Sequence, residues 1–149
     1  MTGRANIFGI SFKCGMILLA GVAYLFCEEA CAKDWKLYAK TDSYECFYDA
    51  EDLFISSQDV VGVRTKSEYT EKGVAETVKK LGKHYRNLSY SLEFWETDCA
   101  GSKIRLLSIT AYNAEGSILY NDQAGNRPPP WKTITRGSVE ESLYHALCK

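Results

Sequence analysis

Histidine is scarce in this chain, with two among 149 residues, and the familiar catalytic signatures are missing. His84 and His145 stand in no His-x-x-x-His pattern, and the cysteines in no Cys-x-x-Cys pattern, so no metal set is expected. There is no Gly-x-Ser-x-Gly elbow and no phosphate-cradling glycine loop. These absences exclude the recognisable hydrolase, nucleotide-dependent and metal-dependent classes, and the chain is expected to be non-enzymatic and without a cofactor. A surplus of either charge is missing too: 18 Lys+Arg against 19 Asp+Glu leave a formal net charge of −1. That balance gives no general attraction to nucleic acid or to an anionic membrane. Internal repeats and low-complexity segments are also lacking, and no uncharged run reaches the ~20 residues of a spanning helix.

The longest uncharged run, Cys14 to Cys27, belongs instead to an ordered N-terminus. Arg4 and Lys13 make the start basic, the apolar stretch follows, and Ala30-Cys31-Ala32 supplies a small-x-small site before Lys33. That is the order of a secretory signal peptide removed after Ala32. Two rivals fit less well. An uncleaved anchor needs a longer run than the one bounded by Lys13 and Glu28. A lipoprotein needs small residues ahead of its cysteine, whereas Cys27 follows Phe26 and Cys31 follows Glu28-Glu29-Ala30. The expectation is an exported protein, periplasmic or at the cell surface, with residues 1–32 as the signal peptide and residues 33–149 as one domain. No membrane span is left after cleavage. A domain of that size buries roughly two-thirds of its unfolded surface and does not need a dense disulfide framework.

Export places the remaining cysteines in an oxidising compartment. Of Cys46, Cys99 and Cys148, two can pair and one is left over. Chain entropy gives about 4 kcal/mol for closing either Cys46–Cys99 or Cys99–Cys148, so it does not choose. Context does. Cys46 shares a strand face with Tyr44 and Tyr48, where a cysteine acts as a small buried hydrophobe. Cys99 closes a strand and Cys148 ends the chain, and two element ends are easier to bring together. The expected bridge is Cys99–Cys148, with Cys46 free and buried.

Ten tyrosines and three tryptophans point to strand-rich structure with an aromatic core. Trp35 to Lys40 reads as a strand, Thr41-Asp42-Ser43 as a turn, and Tyr44 to Asp49 as a second strand. Asp49 to Asp52 reads as a polar break before Leu53-Phe54-Ile55, a short edge piece. Val60 to Ser67 alternates at period two. Thr70 to Lys83 breaks that rhythm: Val74, Val78 and Leu81 recur at helical spacing, and Gly82 stops the helix. Its charged face reads as solvated. Leu88 to Thr97 sets Leu88, Tyr90, Leu92 and Phe94 on one face against Ser89, Ser91, Glu93 and Trp95 on the other. In Lys103 to Tyr112 the apolar set shifts phase between Leu106 and Leu107, the mark of a bulge or of a strand covered on both sides. Asn113 to Gly116 is a hairpin loop, Ser117 to Asn121 the returning strand, and Trp131 to Ile134 a short extended piece. Ser138 and Glu141 form a capping box for a last helix whose stripe is Val139, Leu143 and Leu147. Hairpin-linked neighbours must be antiparallel, and a sheet with one open face needs the helices as cover. The expected class is α+β: a single antiparallel sheet of about six strands, packed with an inserted helix and a C-terminal helix.

One surface segment carries a candidate site. Asn126 to Lys132 joins Arg127, three prolines, Trp131 and Lys132, and tryptophan and arginine recur at binding hot spots. The plainer alternative is that Trp131 plugs the end of the core while the prolines steer the chain. His84 and His145 sit near helix ends, where a cation complements the dipole. Asn87-Leu88-Ser89 matches a glycosylation acceptor by chance at a strand start.

Taken in order, Trp35, Tyr48-Asp49, Val61-x-Val63, Glu93 with Asp98-Cys99, Ile104-Arg105, Tyr112 to Gly116, Trp131 with Ile134, Gly137-Ser138 and Tyr144-x-x-x-Cys148 resemble the surface-adhesin protein E family of bacterial exported domains. The resemblance spans nearly all of residues 33–149, and Cys46 departs from it. It implies an antiparallel sheet packed with helices and the same Cys99–Cys148 bridge. It also implies an adhesin-like domain that engages a protein partner at the cell envelope or in extracellular matrix. Two alternatives stand beside that reading: a small-molecule or haem carrier using His84 or His145, and an inhibitor of an envelope-directed hydrolase using Arg127 to Lys132. Exposed edge strands allow a homodimer by sheet pairing.

Overall fold

The computed structural model describes residues 33–57 and 59–148. The expected signal peptide, its cleavage site and Cys14, Cys27 and Cys31 lie outside the described residues. Seven strands form one antiparallel sheet. They are β1 (Trp35–Lys40), β2 (Tyr44–Ser57), β3 (Val60–Tyr69), β4 (Leu88–Asp98), β5 (Lys103–Asn113), β6 (Ile118–Gln123) and β7 (Lys132–Thr133). The first six pair in sequence order, and β7 adds a two-residue pairing to β5. Helix α1 (Glu71–Leu81) and a 3-10 turn (Lys83–Asn87) separate β3 from β4, and α2 (Val139–Leu147) follows β7. Among the described residues no helix is long and apolar enough to cross a membrane.

Local chemistry sets the helix ends. The Thr70 hydroxyl accepts from the Gly73 amide at 3.2 Å and caps α1, and Gly82, at φ 113°, ends it. Ser138 caps α2 by accepting from the Glu141 amide at 3.1 Å. The other half of the expected box is displaced by one residue, because the Glu141 carboxylate accepts from the Gly137 amide at 2.6 Å.

Both helices lie on one face of the sheet. Leu143 and Leu147 of α2 pack with Val63, Trp95 and Ile104, and Ile134 joins that cluster. Val74 and Val78 of α1 pack with Tyr69, Tyr85, Leu88 and Ala111. The register places Val63 opposite Trp95 and Ser91 opposite both Ser67 and Ala111, so the two clusters share that face.

Two sequence expectations are corrected here. The acidic stretch 49–52 does not break the strand. Tyr48 pairs with Thr65 and Leu53 with Val63, so residues 49–52 bulge opposite Arg64 within one continuous strand. The bulge satisfies its own polar groups: Asp49 is buried and accepts from the Glu51 amide at 3.2 Å, the Ala50 amide donates to Asp34, and Arg64 pairs with Asp52 at 2.9 Å. Because β1 reaches only Asp49, the Leu53–Ser57 end of β2 is nevertheless an edge. The second correction concerns Leu88, grouped by the alternation with Tyr90, Leu92 and Phe94: a register shift between Leu88 and Tyr90 turns it to the helix-covered side, where it packs with the α1 cluster. The covered side of β4 also carries Ser91, Glu93, Trp95 and Thr97, while Tyr90, Leu92 and Phe94 point to the opposite side. The bulge expected in β5 is present: Phe94 pairs with Ser108 and Trp95 with Leu106, leaving Leu107 over. The Ala124 amide takes up the Leu107 carbonyl at 2.7 Å.

Candidate functional site

The two faces of the sheet offer different chemistry. On the helix-covered face the centre is polar. Glu93 is only 9 % exposed, and four donors converge on its carboxylate. Ser91 donates at 2.7 Å and Ser67 at 3.3 Å to Oε1, while Thr65 at 3.0 Å and the Trp95 indole at 3.2 Å serve Oε2. Four donors fill the lone pairs of a carboxylate and remove the main cost of burying it. The network extends outward: the Cys46 sulfur lies 3.6 Å from the Ser67 hydroxyl, and the Tyr69 hydroxyl 3.4 Å from that of Ser91. Cys46 is 1 % exposed and free, as its strand context predicts. Burial pushes the thiol above its ordinary value of 9.0. Burial, followed by the charges of Cys46 and Glu93, pushes the Tyr38 phenol well above 10.0. A cavity of about 200 Å³ opens over this network beneath α2.

Among the described residues the opposite face carries no helix. Phe54 meets Phe94 edge-on at 5.7 Å between ring centres, and Tyr90 stacks on Tyr112 at 4.9 Å with Lys66 over the Tyr90 ring. Gly62 makes the first contact possible, since a β-carbon there would come within 3.0 Å of the Phe94 ring and 3.4 Å of the Phe54 β-carbon. Phe54 itself is 45 % exposed.

The sequence-singled residues divide between features. Trp131 is half-buried and lies on the Arg105 guanidinium at 4.1 Å, and Arg105 makes a two-nitrogen contact to Glu96 at 2.5 and 2.7 Å. Arg105 follows Ile104, a core residue of the helix side, so its side chain and the Trp131 ring belong to the uncovered face. Trp131 therefore does not plug the core; Ile134 occupies that place. Arg127 is exposed beside a separate groove of about 240 Å³, with Pro129 and the Asp122–Ala124 stretch. Lys132 is exposed in β7, paired with Ile104. The structure brings Trp131 onto the aromatic face but does not gather Arg127, Trp131 and Lys132 at one point. Cys99 and Cys148 are joined as a disulfide. Neither His84 nor His145 lines either cavity. Sequence reading missed Arg105, Phe54 and the Glu93 network; an arginine next to a core isoleucine in β5 was the one available signal for Arg105.

A one-sheet α+β domain, disulfide-linked and helix-covered on one face only, is the class that these features define. The chain belongs to the family described as Surface-adhesin protein E, which matches residues 35–149. It is similar to the selenomethionine form of Haemophilus influenzae protein E, with 12 % identity over 74 % of this chain and 89 % of that chain and a TM-score of 0.44. A second structure of Haemophilus influenzae protein E gives 10 % identity over 74 % and 87 % of the two chains and a TM-score of 0.43. No curated protein sequence matches the chain.

Proposed function

We propose that this is an exported, non-enzymatic domain that binds a protein partner at the bacterial envelope or surface through the uncovered sheet face. Family membership supports an adhesin-like surface protein, and the N-terminal pattern supports export after cleavage at Ala32. The observation that carries the choice of surface is the aromatic set Phe54, Phe94, Tyr90 and Tyr112, flanked by Trp131 on Arg105. Interfaces concentrate energy in a few aromatic and arginine anchors ringed by polar groups, and Lys66, Arg64 and Glu96 supply that ring here.

Solid-phase binding to immobilised extracellular-matrix proteins and to envelope fractions tests the reading. F54A and W131A leave the core clusters intact, so the fold should persist by circular dichroism while affinity falls by about 30-fold, ~2 kcal/mol, for a hot-spot residue. Undiminished binding by the folded double variant would move the interface elsewhere. Absence of saturable binding by the wild type to either source would remove the adhesin-like reading.

A further inference from the structure

The polar cavity under α2 has no role in the proposed protein contact, which lies on the other side of the sheet. Its lining is distinctive in charge. Glu93 forms one wall and Glu140, in the first turn of α2, another, while no lysine, arginine or histidine lines it. Among the described residues Glu93 forms no ion pair with a basic side chain. Its four donors are neutral, so they satisfy the oxygens without cancelling the charge. The N-terminal turn of α2 brings partial positive charge near the cavity, and Glu140 and Glu141 in that same turn offset it.

The remaining walls are aromatic in part, with Leu106, Ile109, Val139 and Leu143 supplying aliphatic surface. Tyr38, Tyr44, Tyr69 and Trp95 line the space, and the Tyr44 and Tyr69 rings meet at a tilt of 58°, 5.8 Å between centres. Ring faces attract cations, most strongly where water is excluded. Two carboxylates beside four aromatic rings repel anions and favour a positive ligand. Size narrows the class further. A cavity of ~150 Å³ admits benzene, so about 200 Å³ takes a compact molecule of similar bulk. It falls below the ~300–1,000 Å³ of drug- and cofactor-sized sites, which is too small for a haem. We infer that this cavity is a binding site for a small organic cation, a quaternary or primary ammonium, with the tyrosines and Trp95 around the positive group and Glu93 and Glu140 supplying the counter-charge.

The test is titration of the full chain with choline, with n-butylammonium, and with the neutral choline isostere 3,3-dimethylbutan-1-ol, followed by amide chemical shifts. Saturable shifts at Tyr44, Cys46, Glu93 and Glu140 are expected with at least one cation and not with the alcohol. E140Q, which leaves the Glu93 network untouched, should weaken that cation by about ten-fold, as expected for loss of one charge contact. E93Q should weaken it further if the variant folds. Equal binding of the alcohol, unchanged affinity in E140Q, or no saturation by either cation in the millimolar range would overturn the assignment.

Discussion

At the scale of single residues, a strand sequence reports that two faces differ but not which is inside. In β4 the apolar set Tyr90, Leu92 and Phe94 is the one left without helices, and the covered side holds Ser91, Glu93 and Thr97. The reason lies in other strands. Thr65 and Ser67 of β3 come into register with Glu93 and Ser91, and together they satisfy a group that β4 alone leaves costly to bury. Cys46 was legible because it needs no partner to be buried. The same burial sets a pH dependence. A thiol or phenol whose folded pKa lies above its unfolded value holds its proton more tightly in the native state. Its stabilisation is intact below the unfolded pKa and is lost as pH rises beyond it. Cys46 is raised from 9.0, and Tyr38 and Tyr69 from 10.0, each chiefly by burial. Urea midpoints should therefore be level from neutral pH to about 9 and then fall, each group contributing at most about 1.4 kcal/mol per pH unit. C46A should delay the onset of that fall. A midpoint that stays constant to pH 11 would show that these groups titrate alike in the folded and unfolded chain.

At the scale of elements, much of what the chain encodes locally could be read in advance: the stop of α1 at Gly82, the α2 cap at Ser138 and the Leu107 bulge all stand in the structure. What could not be read was contact between elements. Residues 49–52 read as a break because three carboxylates within four residues normally leave a sheet, and Asp34 and Arg64 from neighbouring segments keep them in it. Gly73 is a second case. In a helix interior glycine is worse than alanine by about 1 kcal/mol, so sequence alone favours G73A. In the structure the first turn of α1 lies against the 41–43 turn, where the Thr70 amide donates to the Ser43 carbonyl at 3.0 Å. A β-carbon on Gly73 would collide with that same carbonyl oxygen, a backbone atom that cannot swing away. G73A is expected to destabilise the fold by about 1–3 kcal/mol, as overpacking does, despite its better propensity. A stabilised G73A in denaturant titration would mean that the turn gives way.

At the scale of the whole molecule, α2 separates the two proposed activities, since it covers the cavity and lies away from the other sheet face. Its own apolar contribution is short, centred on Leu143 and Leu147, and its C-terminal end is tied down by other means. The Tyr144 hydroxyl donates to the Cys99 carbonyl at 3.0 Å and accepts from Ser102 at 3.3 Å, and the next turn ends in the Cys99–Cys148 bridge. The bridge spans 49 residues of sequence, for which chain entropy gives about 4 kcal/mol. The sheet has its own ladder and the α1 cluster, neither of which uses the bridge. Removing the bridge in the C99S/C148S double variant should therefore loosen the molecule unevenly, because regions with few buried contacts open first. Amides from Ser142 to Leu147 should exchange far faster than in the wild type, while those of β3, β4 and β5 keep most of their protection. The uncovered face, remote from α2, should still bind its protein partner, and the cation that saturates the wild type should lose its site as Glu140 moves away from Glu93. Uniform acceleration across helix and sheet would instead make the bridge a staple of the entire fold, and the two faces would then no longer be separable by a change at α2.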